Sequence, residues 1–533
     1  MAGPSTDQGS RPAELAVLTI AGLLLTVLVV TSAAEVDRTS SGTWDETIYL
    51  ALGRQALARD ATAFADLGVA PLPVRLVWNR ATLEPIDRDD GDPAYYRARL
   101  SRARQRAVWM FGVPLVLVLL YWVGLRHGPT AGILAAALVA LSPNVQAHVS
   151  LATTDVPLVL AFVSTMIAVI VDLERPSWGS AALLAVVLGA ALATKYSALS
   201  LFLAVTVLFV WHRHRPWWSS MLIGLGALTV TWGCHWWALS PVRAADSPLH
   251  GLPVPIFWRG IRFQMYLDGL GQMAFLLGDR SRFGWPWYFP FALLVKSSPV
   301  ELVALASFIT TAAIRRGGGV EARVLAVCFV VFGGAALLGH RDIGVRYVLP
   351  LVVTALMGGA IWLRTSVRTA RVAVAVAAVA VIAQAISFFS IAPQHLAYFN
   401  DLAGGPSAGY TRLVDSNVDW GQDLVRLREW MRARGIERVS LVYFGSAPLA
   451  AYDITAGDWR EYVSHDLPNG PKAFVISVTA LQGLTTCGDA FAPLRALEPS
   501  GRIGYSLMAY SLDRRDVVET LDRIARDPCS PRE

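Results

Sequence analysis

Two neighbouring carboxylates, Asp45 and Glu46 in "SGTWDETIYLALGRQAL", stand a few residues after a long apolar run. Three further groups of ionisable residues recur at the ends of apolar stretches: His148 and Asp155 in "SPNVQAHVSLATTDVP", Lys195 in "ATKYS", and His340, Arg341, Asp342 and Arg346 in "GHRDIGVRY". Carboxylates beside cations at membrane level suit a reaction in which a hydroxyl needs a base and an anionic leaving group needs its charge held. A sugar leaving a polyprenyl phosphate is such a case: the phosphate departs without a proton, so Lys and Arg serve it, and one carboxylate serves the acceptor. Glycoside hydrolysis, by contrast, generally uses two carboxyl groups.

Each group also has a structural reading. Asp45 or Thr43 could cap the helix that the spacing of Ile48, Leu50, Leu52 and Leu57 predicts, and Asp155 could cap the next apolar stretch. His148 taken alone reads as a hydrogen-bonded structural histidine. Lys195 is costly in its apolar surroundings unless it has a charge partner. Further along, "DSNVDWGQD" begins like a calcium loop with Asp415, Asn417 and Asp419, but its glycine, Gly421, is one place late and its twelfth position is Arg426. An acid at a helix N-terminus fits Asp419 or Asp423 better. His340-Arg341-Asp342 lacks the glycine-rich loop and Asp-Phe-Gly of a kinase. Trp285, Trp287 and Tyr288 fit sugar stacking and an aromatic belt equally well.

The elements that position these residues follow from hydropathy. With 54% hydrophobic and 16% charged residues in 533, the chain departs from the roughly 25% charged content of soluble domains and reads as a membrane protein. Leu15 to Ala34 is an uncharged run that reads as an uncleaved first span. Further spans are expected near 107–125, 130–147, 153–171, 180–194, 196–211, 219–239, 287–312, 324–339, 345–363 and 371–391, about eleven in all. The short pair meeting at Ala193–Tyr196 fits a hairpin into a water-filled recess as an alternative to two crossings.

Basic loops at Arg126-His127, Arg175, His212–Arg215, Arg315-Arg316 and Arg364/Arg368/Arg371 fall on one side, so the positive-inside rule puts them and the N-terminus in the cytoplasm. The four ionisable groups then face outward with the tail. The net charge of +6 partly reflects this bias and implies no nucleic acid. A long first outer loop, 35–106, ends in a basic helix whose Arg97, Arg99, Arg102, Arg104 and Arg106 break the charge rule, either as a solvated face near headgroups or as a site for an anionic partner. After about 396 a small α/β domain is expected, with "ERVSLVYFGSAP" and "KAFVISVTALQGL" as strands and "DWGQDLVRLREWMRARG" as a helix closed by Gly435. The fold class is therefore a polytopic α-helical membrane domain, 1–395, followed by an outer α/β domain, 396–533. Cys487 and Cys529 in that tail are expected to form a disulfide, while Cys234 and Cys328 read as small core residues.

"TWDETIY", "SPNVQAHVSLATTDVP", "ATKYSAL" and "GDRSRFGWPWYFPFALLVKSSP" together resemble bacterial members of glycosyltransferase family 39, in the GT-C superfamily that includes protein O-mannosyltransferases and aminoarabinose transferases. The resemblance covers roughly 12–395. It implies inverting transfer from a polyprenyl-phosphate sugar to a hydroxyl-type acceptor (protein, lipid or glycan) at the outer face of the plasma membrane. Carried onto this sequence, it makes Asp45 the base or acceptor-orienting group, Glu46 its catalytic neighbour, and His148 and Asp155 substrate-binding residues. Lys195, His340, Arg341 and Arg346 become phosphate contacts. It implies no metal ligands and no firm cofactor, with a divalent cation left open. The tail stretch "YFNDLAGGPSAGYTRLVDSNVDWGQDL" is similar to one in other bacterial members without implying an activity, and nothing resembles the extra luminal domain of the protein O-mannosyltransferases. The alternative is a lipid-linked-sugar transporter or flippase, which needs ionisable residues along a path through both faces.

Overall fold

The computed structural model describes residues 10–79, 93–213, 215–242, 250–314, 319–367, 369–457, 459, 472–484 and 488–526. Among these, six helices are long and apolar enough to cross a membrane: Arg11–Thr39, Pro93–His127, Asp155–Glu174, Val320–Leu338, Val345–Ser366 and Ala370–Phe389. The bent pair Pro129–Ala140 and Pro143–Val149 makes a seventh if taken as one span, and Trp178–Thr194, Tyr196–His212 and Pro299–Ala313 are shorter apolar helices. Trp217–Cys234 completes the set. Each stretch expected to be apolar and helical carries helix, though not over its whole length, and the protein is a polytopic helical membrane protein with a sheet-bearing C-terminal region.

Ion pairs between helix ends show that these helices run back and forth between two rims. Asp155 at the start of its helix meets Lys195, which follows Trp178–Thr194, at 2.6 Å, and Asp172 at the other end meets Arg215 at 2.6 Å. Chain 178–194 therefore climbs the full length of the 155–174 helix and 199–212 descends it again. The short pair makes two traverses, which corrects the recess expectation: 17 residues at about 1.5 Å each suffice to match most of a 20-residue neighbour. At the rim shared by Asp172, Arg126 pairs with Glu174 and Glu321, and His127 with Glu321. At the other rim gather the residues singled out for chemistry. His214, Arg315, Arg316 and Arg368 of the basic loops lie outside the described residues, as do Cys487 and Cys529 and their expected disulfide.

Two expected spans are broken where the sequence supplies the means. The first bends by 67° between Ala140 and Pro143, so Pro143–Val149 lies along the site rim and carries His148. The second, expected over 287–312, divides into Tyr288–Lys296 and Pro299–Ile314. Ser298 Oγ accepts from the Glu301 amide at 3.1 Å while the Glu301 carboxylate accepts from the Ser298 amide at 2.9 Å. With Pro299 as the first helical residue, this reciprocal cap starts a new helix in mid-span.

The first outer loop is largely helical, and the basic helix Pro93–Ala107 continues through a π-helical turn, Val108–Gly112, into Val113–His127. Three of its five arginines answer neither expected role, whereas Arg97 is exposed as a solvated face requires. Arg104 is buried against Glu46 and Asp37, Arg99 stacks on Tyr95 at 3.7 Å, and Arg106 donates to Asn79. At these three positions the exception to the charge rule is met by acids, a ring and an amide of the same loop.

In the tail, a five-stranded sheet runs Thr455–Gly457, Arg438–Val442, Ala473–Ser477, Leu507–Ser511, Gly501–Ile503 in spatial order, the first two pairings parallel and the last two antiparallel. The Ala473–Ser477 strand is buried throughout, as its unbroken apolar run requires. Ala473 and Val475 pack with Leu424, Leu427 and Met431 of the helix Leu424–Ala433, while Phe474 and Ile476 pack with Val517 and Leu521 of Arg515–Arg526. The alternation is the period of a strand covered on both faces. The second of these clusters is continuous with the core of the membrane helices, including Leu119 and Phe162. The tail is thus fused to the helical domain along its site rim.

Candidate active site

Thr43 begins the helix Trp44–Leu57, and its amide and hydroxyl both donate to Glu46 Oε2 at 3.0 Å. Glu46 Oε1 accepts from the Ala152 amide at 2.9 Å, and Arg104 closes on both oxygens at 2.9 and 2.8 Å. Burial alone raises the Glu46 carboxyl, but the Arg104 charge and the hydrogen bonds from Arg104, Thr43 and Ala152 hold it below the ordinary value. Every lone pair has a donor and no surface remains exposed. The structure therefore does not bring Glu46, expected beside Asp45 as catalytic, to the same place: its side chain is a strut joining the first outer loop to the 150–155 turn.

Asp45, one residue earlier, points elsewhere. Its Oδ2 accepts from Arg346 Nη1 at 2.7 Å, and the same nitrogen lies 3.6 Å from Asp155 Oδ2. Asp155 Oδ1 accepts from Lys195 Nζ at 2.6 Å, and Oδ2 from the Thr153 hydroxyl at 3.3 Å. The result is a chain of alternating charge, Asp45–Arg346–Asp155–Lys195, assembled from four separate loops. Its two ends are accessible, with side chains 21% exposed at Asp45 and 19% at Lys195, and its middle is buried. Tyr347 presents its ring to both cations, 4.7 Å from Lys195 Nζ and 5.1 Å from the Arg346 guanidinium carbon.

His148 is buried behind this chain, its Nδ1 3.7 Å from Asp155 Oδ2 and without a hydrogen bond. Its ring meets Trp420 edge-on at 5.8 Å. His340 and Arg341 are not brought to the chain. Arg341 donates to Gln264 Oε1 at 2.6 Å and to Gln272 Oε1 at 3.3 Å, and His340 is half exposed beside Asp268 at 3.4 Å. Asp342 turns the other way, accepting from the Trp285 amide at 2.7 Å, and its burial raises it to about 6. Of the residues expected to contact phosphate, the structure thus brings Lys195 and Arg346 together and leaves His340 and Arg341 apart, because residues 340–342 are tied to the 257–285 segment.

Residues the motif reading did not assign to the site arrive from the tail. Ser416 Oγ accepts from Arg346 Nε at 3.1 Å and donates to the Ile343 carbonyl at 2.7 Å. The guanidinium lies 4.2 Å over the Trp420 ring. Asn417 accepts from the Val345 amide and donates to Tyr288 Oη, both at 3.0 Å. Asp415 is buried at φ +57, and burial, opposed by the Arg346 charge, raises it to about 6. Buried Lys296 donates to the carbonyls of Asn417 at 2.6 Å and Leu396 at 2.8 Å. The density of polar residues in "LVDSNVDWGQD" was the available signal, though periodicity points to a loop with no stated partner.

Two of the side chains in the calcium-like stretch have partners within the protein. Asn417 is committed as above, and Asp419 accepts from the Thr479 amide at 3.1 Å. Among the described residues no three His, Cys, Asp or Glu side chains converge as metal ligands.

Residues 106–237 match the family model described as "Dolichyl-phosphate-mannose-protein mannosyltransferase". The matched stretch includes His148, Asp155 and Lys195, with Asp45 and Arg346 outside it. No curated protein sequence matches the chain. Among solved structures, ArnT from Cupriavidus metallidurans bound to undecaprenyl phosphate is similar at 11% identity and a TM-score of 0.46, over 92% of this chain and 97% of that one.

Proposed function

We propose that this chain, which over residues 106–237 is a relative of the GT-C glycosyltransferases of family 39, transfers a sugar from a polyprenyl-phosphate donor to a hydroxyl acceptor at the outer face of the membrane. The observation that carries the reading is the ion chain with two accessible ends of opposite sign, Asp45 and Lys195. An anionic phosphate seats between Lys195 and Arg346. By competing for Arg346 it loosens the Asp45 carboxylate, which then accepts a hydrogen bond from the acceptor hydroxyl.

In the transfer step the acceptor oxygen attacks the anomeric carbon and the bond to phosphate breaks, its electron pair going to the phosphate oxygen. The hydroxyl proton passes to Asp45. The phosphate gains one negative charge, and Lys195 and Arg346 hold it in a site backed by apolar helices, where fixed charges act strongly. One displacement with one available carboxylate gives inversion, and Glu46, sealed in its strut, supplies no second carboxylate. The far rim, with Arg126, His127, Arg215 and Arg364, is then cytoplasmic by the positive-inside rule, which puts the N-terminus inside and the tail outside the plasma membrane.

The test is turnover by purified full-length protein in detergent across a panel of polyprenyl-phosphate sugars, comparing wild type with Asp45→Asn. Turnover in wild type that is lost in a folded variant supports the reading and identifies the donor. Equal turnover in both sinks the role of Asp45, and movement of the intact lipid-linked sugar across vesicles without transfer points instead to a flippase.

A further inference from the structure

The tail touches both halves of the Asp45–Arg346 pair. On one side Ser416 and the face of Trp420 hold the Arg346 guanidinium. On the other, Ser41 and Trp44, just before Asp45, are stitched to the same loop: the Ser41 amide donates to the Gln422 carbonyl at 2.8 Å, the Trp44 amide to the Trp420 carbonyl at 3.0 Å, and the Ser41 hydroxyl to the Gly421 carbonyl at 2.7 Å. Tyr452, from the sheet region, accepts from the Gly42 amide at 2.8 Å, and Trp44 stacks on Phe444 at 5.4 Å. Trp420 therefore acts twice, its ring beneath Arg346 and its carbonyl on the residue before Asp45.

Two features show that this loop is built to be rigid. Asp415 holds a left-handed backbone conformation that a non-glycine residue adopts only when its surroundings enforce it, and its amide is fixed by the Thr479 hydroxyl at 3.2 Å. Ser416 also fits closely under Gly344, where an added Cβ would lie 2.2 Å from the hydroxyl. A side chain at 344 would push Ser416 away from Arg346.

We infer that loop 415–424 of the C-terminal domain is a positioning element of the donor site, with Ser416 and Trp420 orienting Arg346 toward the donor phosphate while the loop's backbone sets the register of Asp45. The tail is then an integral part of the site, rather than a module confined to recognising an acceptor. The inference rests on the proposed transferase reading for the identity of the anion.

The test is binding of a polyprenyl monophosphate to the full-length protein in detergent, alongside turnover, for wild type, Ser416→Ala, Arg346→Lys and the double variant. Loss of a hydrogen bond to a charged group predicts about fivefold or more weaker binding in Ser416→Ala. Because the serine acts through the guanidinium Nε, its removal in the Arg346→Lys background changes affinity by less than about twofold. Additive losses in the double variant, or wild-type affinity in folded Ser416→Ala, overturn the inference even if turnover is found. Wild type that binds the lipid phosphate and transfers no sugar defeats the transferase reading alone, and wild type that does not bind it defeats both. If Ser416→Ala does not fold, Trp420→Leu, which removes the ring beneath Arg346, takes its place with the same expected non-additivity.

Discussion

Asp45 and Glu46 are joined by one peptide bond and occupy opposite kinds of environment. Glu46 has all its lone pairs answered and no exposure, in a pair with Arg104 that links two segments. Asp45 has one close partner, Arg346, and an accessible edge. The difference teaches that exposure of one unsatisfied oxygen, more than the carboxylate itself, separates a group that can do chemistry from one that holds the fold. A fully paired buried ion pair is expensive to break and has no free valence for a substrate. A half-satisfied pair at an opening can exchange partners.

The sharpest way to break this comparison is to neutralise each member in turn. Asp45→Asn is expected to lower turnover by about 10²–10⁴-fold, the usual contribution of a positioned base, while stability shifts by about 1 kcal/mol or less, as for partly exposed pairs. Glu46→Gln should do the reverse. Leaving buried Arg104 with only the longer Asp37 contact at 3.4 Å costs up to about 3–5 kcal/mol of stability, read by chemical or thermal unfolding, with turnover per folded molecule retained. A Glu46→Gln protein that folds normally and has lost turnover would show that the strut assignment is wrong.

Lys195→Met sharpens the comparison at the other accessible end. Removing the ammonium leaves Asp155 with Arg346 alone and takes one of two charges from the departing phosphate, so kcat/KM for the lipid donor is expected to fall about tenfold to a hundredfold. Lys195→Arg keeps the charge and should recover part of it. Equal kcat/KM in wild type and Lys195→Met removes Lys195 from the phosphate site.

The helices were legible because an apolar run near 20 residues has few alternatives, and the strand pattern of the tail because Ala473–Ser477 is apolar on both faces. Thr43 and Glu46, three residues apart, have the spacing of a reciprocal cap, a signal the motif reading did not use, and the resemblance drew Glu46 toward chemistry. Long-range pairing was not legible. Nothing local says that Arg104 meets Glu46 across 58 positions, or that Ser416 meets Arg346 across 70, since such contacts are decided by how helices and tail pack. The same reason misplaced Arg341: sequence adjacency to Arg346 suggested one clamp, but the irregular backbone between them sends the two side chains to different partners.

The sign of the pH dependence separates the strut from the tail loop. Glu46 is held below its ordinary value in the folded protein, so its contribution to stability is present above the unfolded value and is lost as pH falls through the lower folded one. Burial raises Asp415 to about 6 and Asp419 to about 7, against about 3.9 for an unfolded aspartate. In that interval the folded state binds more protons than the unfolded state, so these two contributions are full below about pH 4 and are lost as pH rises through about 6 and 7. Each group adds a slope of at most about 1.4 kcal/mol per pH unit. Melting curves of wild type and the Asp415→Asn/Asp419→Asn variant between pH 4 and 8 should therefore diverge, with the wild type losing stability relative to the variant as pH rises. Parallel curves would mean that these carboxyls titrate as exposed ones do, and that the tail loop is not the dry counterpart of the strut across the site.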